Sequence, residues 1–221
     1  MFELTDVSFS YDGGVQALTD VSLRVERGQA LALIGDNGCG KTTLLKLLNG
    51  LIFPTRGEYK FDGDKIDRDS LRDPIFAKNF HRRVGFVFQN ADAQLFCGSV
   101  EDEIAFGPRQ LELEENECRR RVDDCLALLD IEKLRTRAPY ALSGGEKRKV
   151  AFACVLALNP DALIMDEPLA GLDKEAQNRI VELLKTLRDA KKTLIFATHN
   201  ETLVNAIADE QIKLSAGRRV A

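Results

Sequence analysis

The sequence predicts an α/β fold: a mostly parallel sheet covered by helices on both faces, preceded by an antiparallel β-subdomain and interrupted by an α-helical one. Three observations carry this reading. Four short apolar runs have the character of buried strands. The first of them leads through a glycine-rich loop into a helical pattern. The stretch between the second and third, Val100 to Ala157, holds three helical patterns and no convincing strand.

The elements follow in order. Leu4 to Phe9 and Val21 to Val25 alternate in the strand manner on either side of the turn-forming Asp12-Gly13-Gly14, so they predict an antiparallel edge sheet. Ala30 to Ile34 is a continuous apolar strand, and Lys41 to Asn49 carries leucines at helical spacing. The polar stretch Asp62 to Asp73 reads as a solvated loop with a short helix. Val84 to Phe88, Ala162 to Met165 and Thr193 to Ala197 are the remaining buried-strand runs. Lys147 to Leu158 forms an amphipathic helix, and Gln211 to Leu214 a last strand.

Composition narrows the class. A chain of 221 residues with 44% hydrophobic and 30% charged residues can form a core and stay dissolved, which excludes disorder, collagen and small disulfide scaffolds. The balance of 31 Lys+Arg against 35 Asp+Glu gives a net charge of −4 and no global attraction for nucleic acid. Val150 to Leu158 is the longest apolar run, well short of the roughly 20 residues a membrane helix needs. Met1-Phe2-Glu3-Leu4 shows no secretory signal. Five cysteines without a CxxC pair predict free thiols in a reducing cytosol, and two histidines exclude a His-rich metal cluster.

Gly35-Asp36-Asn37-Gly38-Cys39-Gly40-Lys41-Thr42 matches GxxxxGK[ST] between a predicted strand and a predicted helix. Glycines let the backbone curl so that successive N–H groups face phosphate oxygens. The helix N-terminus adds its positive end, Lys41 reaches the terminal phosphates, and Thr42 offers a hydroxyl to Mg²⁺. The candidate phosphate contacts are Gly35, Asn37, Gly38, Cys39, Gly40, Lys41, Thr42 and Thr43. This is a P-loop NTPase core. Leu163-Ile164-Met165-Asp166-Glu167 is a strand ending in two carboxylates at the edge where such sheets bind ligands. Asp166 would hold the Mg²⁺ shell, with Glu167 the general base toward water. On this reading 1–221 is one domain, with 1–99 and 158–221 the nucleotide-binding core and 100–157 the helical subdomain.

Ser143 with Glu146 is a capping box, the ordinary way to start a helix. It leaves unexplained two glycines, Gly144 and Gly145, where glycine weakens a helix and bare N–H groups can meet an anion. Ser143-Gly144-Gly145 lies 24 residues before Glu167 and downstream of the phosphate loop, and with these motifs the chain resembles an ATP-binding-cassette (ABC) ATPase along nearly its whole length. The resemblance implies that Tyr11 stacks on adenine, that Gln89 senses Mg²⁺ and the attacking water, and that Asp173 belongs to a loop crossing a dimer. It further implies that His199 meets the γ-phosphate, and that Ser143 to Gly145 bind ATP held by a second ATPase subunit, identical or similar. Local alternatives remain: Tyr11 as a surface aromatic, Gln89 as a strand-end polar residue, His199 as a neighbour of a helix cap.

Gln89 to Phe96, followed by Val100 to Pro108, resembles the energy-coupling-factor type of importer ATPase, which drives uptake of cobalt, nickel or vitamins such as biotin. That implies a transmembrane coupling subunit and a substrate-binding membrane subunit as partners, at the cytoplasmic face of the membrane, with no nucleic acid. Leu95 and Phe96 suit such an interface, with a core position the alternative for Phe96. The alternatives are a soluble ABC ATPase of nucleic-acid repair or translation, and a nucleotide sensor without turnover. Ala91, Leu169, Asn200 and Cys39 depart from the family pattern, and none removes a catalytic group. Cys39, at a helix N-terminus, is expected to favour thiolate and to make activity sensitive to thiol reagents. With only a short stretch after Leu214, the C-terminal dimerisation region found in many relatives is expected to be absent and dimer contacts to depend on ATP.

Overall fold

The computed structural model describes residues 1–220. Strands β1 (Phe2–Tyr11) and β2 (Val15–Val25) form an antiparallel hairpin, and Gly13 and Gly14 turn it at φ 89° and 81°. Strand β3 (Ala30–Ile34) leads into helix α1 (Lys41–Leu48). Two strands follow: β4 (Arg56–Phe61), where the sequence pattern predicts no element, and β5 (Asp64–Lys65), inside the stretch expected to be a solvated loop. The short helix expected near them is a 3-10 turn at Ser70–Arg72. Helix α2 (Pro74–Arg83), also unforeseen, is capped by the Asp73 carboxylate and leads to β6 (Val84–Val87).

The next three helices are α3 (Val100–Gln110), α4 (Glu115–Leu129) and α5 (Gly144–Leu156). Helix α5 starts three residues earlier than its apolar pattern suggests, because the Ser143 cap satisfies its first turn. Then come β7 (Ala162–Asp166), α6 (Lys174–Asp189), β8 (Thr193–Ala197), α7 (Glu201–Ile207), β9 (Glu210–Ser215) and β10 (Arg218–Val220).

Two sheets result. One is antiparallel, in the order β2-β1-β4-β5. The other runs β10-β9-β3-β8-β7-β6 and is parallel except for the β10–β9 pair. Strand periodicity divides its side chains between two cores. Leu31, Leu33, Ile164 and Ile195 face the antiparallel sheet, and α1 fills the gap with Leu44, Leu45, Leu47 and Leu48, each fully buried. Each of those leucines contributes about 1.5–3 kcal/mol of burial. Ala30, Ala32, Met165 and Phe196 face the other way, onto a core shared with Ile104 of α3, Leu126 of α4 and Phe152 of α5. Helix α3 packs on both α4 and α5, so the three helices form a lobe whose apolar side is continuous with the sheet's own core.

Candidate functional site

The parallel strands β3, β7 and β8 deliver three chain segments to one sheet edge. After β3 the chain turns through Gly35 (φ 137°), Gly38 (φ 77°) and Gly40 (φ 108°) into α1. At Gly40 a Cβ would lie 2.7 Å from the Ala17 carbonyl oxygen, so both the left-handed backbone and the close approach require glycine. As the helix N-cap it also offers no side chain, leaving the first amides of α1, from Lys41 on, without a side-chain acceptor. Those bare N–H groups and the helix dipole make a seat for an anion.

Lys41 is buried and folds back over the loop, donating from Nζ to the carbonyl oxygens of Gly35 at 2.6 Å and Asp36 at 3.0 Å. The Thr42 hydroxyl donates to Asp166 Oδ2 at 2.7 Å, joining the start of α1 to the end of β7. The next residue, Glu167, sits in the left-handed region at φ 48°, a conformation that costs energy for a non-glycine residue. Its carboxylate accepts from the Thr198 hydroxyl at 3.3 Å, and His199 Nε2 lies 3.6 Å from Oε1. The same nitrogen is 2.9 Å from Asn37 Oδ1 and 3.4 Å from Lys41 Nζ. Tyr11 is edge-on to Phe9, with its hydroxyl 3.2 Å from the Thr43 hydroxyl.

These side chains surround a cleft of 530 Å³ whose wall includes Tyr11, Lys41, Thr42, Gln89, Glu167 and His199. That volume falls in the range of small-molecule sites. Asn37, Gly38, Gly40, Thr43 and Asp166 line the same cleft. Gly35 lies beneath Lys41. Cys39, by contrast, is only 5% exposed, with its sulfur 3.9 Å from Lys41 Nζ, so the thiol at this helix N-terminus points into the fold. A reagent has to open the loop to reach it.

Ser143, Gly144, Gly145 and Asp173 lie outside this cleft. Ser143 and Glu146 form the reciprocal cap read from the sequence, at 3.3 and 2.7 Å, and the Ser143 N–H holds the Glu146 carboxyl below its ordinary pKa. Ser143 and Gly144 are exposed at the surface of the lobe. Asp173 caps α6, accepting the Ala176 N–H at 2.8 Å, and is also exposed.

Two buried charged residues escaped the sequence reading. Arg148 of α5 is 3% exposed and donates to the carbonyl oxygen of Phe88 and, at 3.0 Å, to that of Glu167. Burial lowers its pKa. Glu103 of α3 is 4% exposed, and its Oε2 accepts the amides of Phe96 at 2.8 Å and Cys97 at 2.6 Å. This fixes the segment after Gln89, which makes a 3-10 turn at Ala91–Ala93, to the helical lobe.

The family model described as ABC transporter matches residues 18–170. The chain is 46% identical to the nickel import ATP-binding protein LarO of Lactiplantibacillus plantarum, over all of this chain and 91% of that protein. It is 39% identical to the energy-coupling factor transporter ATP-binding protein EcfA of Methanothermobacter thermautotrophicus, over all of this chain and 70% of that one. Among solved structures, cbiO1 of Clostridium perfringens, part of the ABC transporter complex cbiONQ, superposes with a TM-score of 0.84 at 34% identity, over all of this chain and 86% of that one. An ATP-binding cassette solved as a dimer with ADP and Pi superposes with a TM-score of 0.91 at 29% identity, over all of this chain and 97% of that one. With its phosphate loop, strand-end carboxylates and cleft in this arrangement, the chain belongs to the ABC transporter family and is an ABC-type ATPase.

Proposed function

We propose that this protein is the ATP-hydrolysing subunit of an energy-coupling-factor type importer for a transition-metal ion, nickel or cobalt, or a vitamin. The observation that carries the reading is the convergence of Lys41, the Thr42–Asp166 pair and the Glu167–Thr198–His199 cluster on one cleft. Relatives named for nickel import, cobalt import and energy coupling favour transport over the nucleic-acid alternative.

In this reading the bare amides of α1 and Lys41 bind the phosphates of ATP, and Tyr11 supports the base. The Thr42 hydroxyl and Asp166 carboxylate, already 2.7 Å apart at the cleft wall, suit a hard, oxygen-binding cation and with Gln89 would hold Mg²⁺. The ion would supply neutralising charge to the phosphates. Glu167 accepts a proton from the attacking water at its carboxylate, which Thr198 orients. His199, within reach of both Lys41 and Glu167, donates to the terminal phosphate. The position of Ser143 to Gly145 at the surface, outside the cleft, suits a site completed by a second ATPase subunit. Two ATP molecules between two such subunits stabilise the closed pair because they bridge it only when closed.

The membrane-facing surface in this reading is the exposed edge-to-face pair Phe96 and Phe106, 4.9 Å between ring centroids, with the Phe96 amide held by Glu103. No helix among the described residues is long and apolar enough to cross a membrane, so attachment runs through a transmembrane coupling subunit. Cargo choice would rest with a separate substrate-binding membrane subunit. A detergent pull-down from native membranes with mass spectrometry tests the proposal. Recovery of a membrane coupling subunit and a small substrate-binding membrane protein is expected; soluble partners alone would refute the importer reading while leaving the ATPase standing.

A further inference from the structure

The opposite edge of the parallel sheet carries a second, unassigned recess. It lies beside the first residues of β7 and β8, on the order of 13 Å of strand from Asp166 and Glu167. One part, 290 Å³, has an apolar floor that includes Leu128 of α4, Leu156 of α5, Leu163 of β7 and Leu187 of α6. The adjoining part, 530 Å³, is lined by Arg82, Arg83, Arg121 and Lys192 against one carboxylate, Asp161. Arg121, Asn159 and Lys192 belong to both.

The charge there is opposite to that of the chain, whose net is −4. Some of it is internally compensated: Arg83 pairs with Asp161 and Asp62, and Arg121 with Glu117. Lys192 is different. It is half-buried where the two parts meet, and its Nζ donates to the side-chain and backbone oxygens of Asn159, at 2.8 and 3.5 Å, rather than to a carboxylate. A cation held by neutral oxygens over an apolar floor favours an anion whose other end is apolar. With Arg83 and Arg121 paired, Arg82 and Lys192 are the cations of the polar part left without a carboxylate among the described residues, and two such charges match a dianion better than a monoanion.

We propose that this recess is a binding site for a small phosphomonoester bearing a short apolar chain, with its phosphate among Arg82, Arg121 and Lys192 and its chain over Leu128, Leu163 and Leu187. Such a ligand would tie α4 of the lobe to α6 and β8 of the core. Helix α5, capped by Ser143, ends in the same recess at Leu156, so occupancy would fix the orientation of the Ser143 end as well. The binding is independent of the importer reading; any effect on turnover rests on it.

Calorimetric titration of the full chain with octyl phosphate, without nucleotide, tests the site. Saturable binding about tenfold or more tighter than that of inorganic phosphate or octanol is expected, because both halves contribute. Lys192→Met should weaken it about tenfold by removing one charge-assisted hydrogen bond. Leu128→Glu, at a position 53% exposed and therefore tolerant of substitution, should weaken it through like charge while melting as the wild type does. Added ATP should not displace the probe, and basal ATPase of Lys192→Met should be unchanged. Absence of saturation, wild-type affinity in both variants, displacement by ATP, or binding only to vesicles of anionic phospholipid would each overturn the proposal.

Discussion

Arg148 Nη2 lies 3.0 Å from the carbonyl oxygen of Glu167, so the helix capped by Ser143 holds the backbone of the carboxylate that follows β7. The other arm of the same guanidinium holds the carbonyl of Phe88, the residue before Gln89. One side chain therefore ties the helical lobe to two segments of the cleft. Its charge is satisfied by carbonyl dipoles, which makes the contact sensitive to any shift of α5.

Arg148→Ala should leave two carbonyls without their donor and cost about 1–3 kcal/mol, measured by urea unfolding. Turnover should fall about tenfold or more while ATP affinity holds, because the variant loosens Glu167 without touching the phosphate loop. Arg148→Lys, unable to span both carbonyls, should fall between. Unchanged turnover in the alanine variant would disprove the positioning role.

Glu167→Gln keeps the shape of the side chain and its contact with Thr198 but removes the proton acceptor. Phosphate release should drop about 10²–10⁴-fold with ATP binding retained. Size exclusion with MgATP should then show a longer-lived dimer than the wild type forms. Hydrolysis at the wild-type rate would show that the base lies elsewhere.

Glu103→Ala would strip the acceptor from two amides at once, those of Phe96 and Cys97. A loss of about 1–3 kcal/mol is expected, together with faster amide exchange at those two residues. Glu103→Gln should recover part of both, since its carbonyl oxygen still accepts. Protection factors identical to the wild type in Glu103→Ala would contradict this account.

The features legible in the sequence were those whose chemistry is local. The phosphate loop, the Ser143 cap and the Asp166-Glu167 pair each depend on residues adjacent in the chain, and β3 and β8 are buried on both faces and so read as unbroken apolar runs. Strand β4 was not legible, because Arg-Gly-Glu-Tyr-Lys-Phe has only Tyr59 and Phe61 turned inward and is ordered by pairing with distant β1. Helix α2 buries one residue fully, Phe80, too few for a pattern. Arg148 sits in Lys147-Arg148-Lys149 and Glu103 in Glu101-Asp102-Glu103, runs that look like solvated faces. Only tertiary placement shows that the arginine and the second glutamate of those runs are buried.

His81 gives the fold a titration of its own. Its ring lies on α2 edge-on to Phe80, 5.1 Å between centroids, and burial pushes its pKa below the ordinary imidazole value. As pH falls, the unfolded chain takes up the proton before the folded one does. The histidine's contribution is therefore complete above about pH 6.5 and is lost as pH drops through the depressed folded value. His81→Gln should be less stable-sensitive than the wild type between about pH 7 and 5, read as the difference in urea midpoints across that range. The chain has only one other histidine, His199, so an NMR titration can assign the two rings separately. If the pH slope of the variant equals that of the wild type, the groups responsible are carboxylates and not His81.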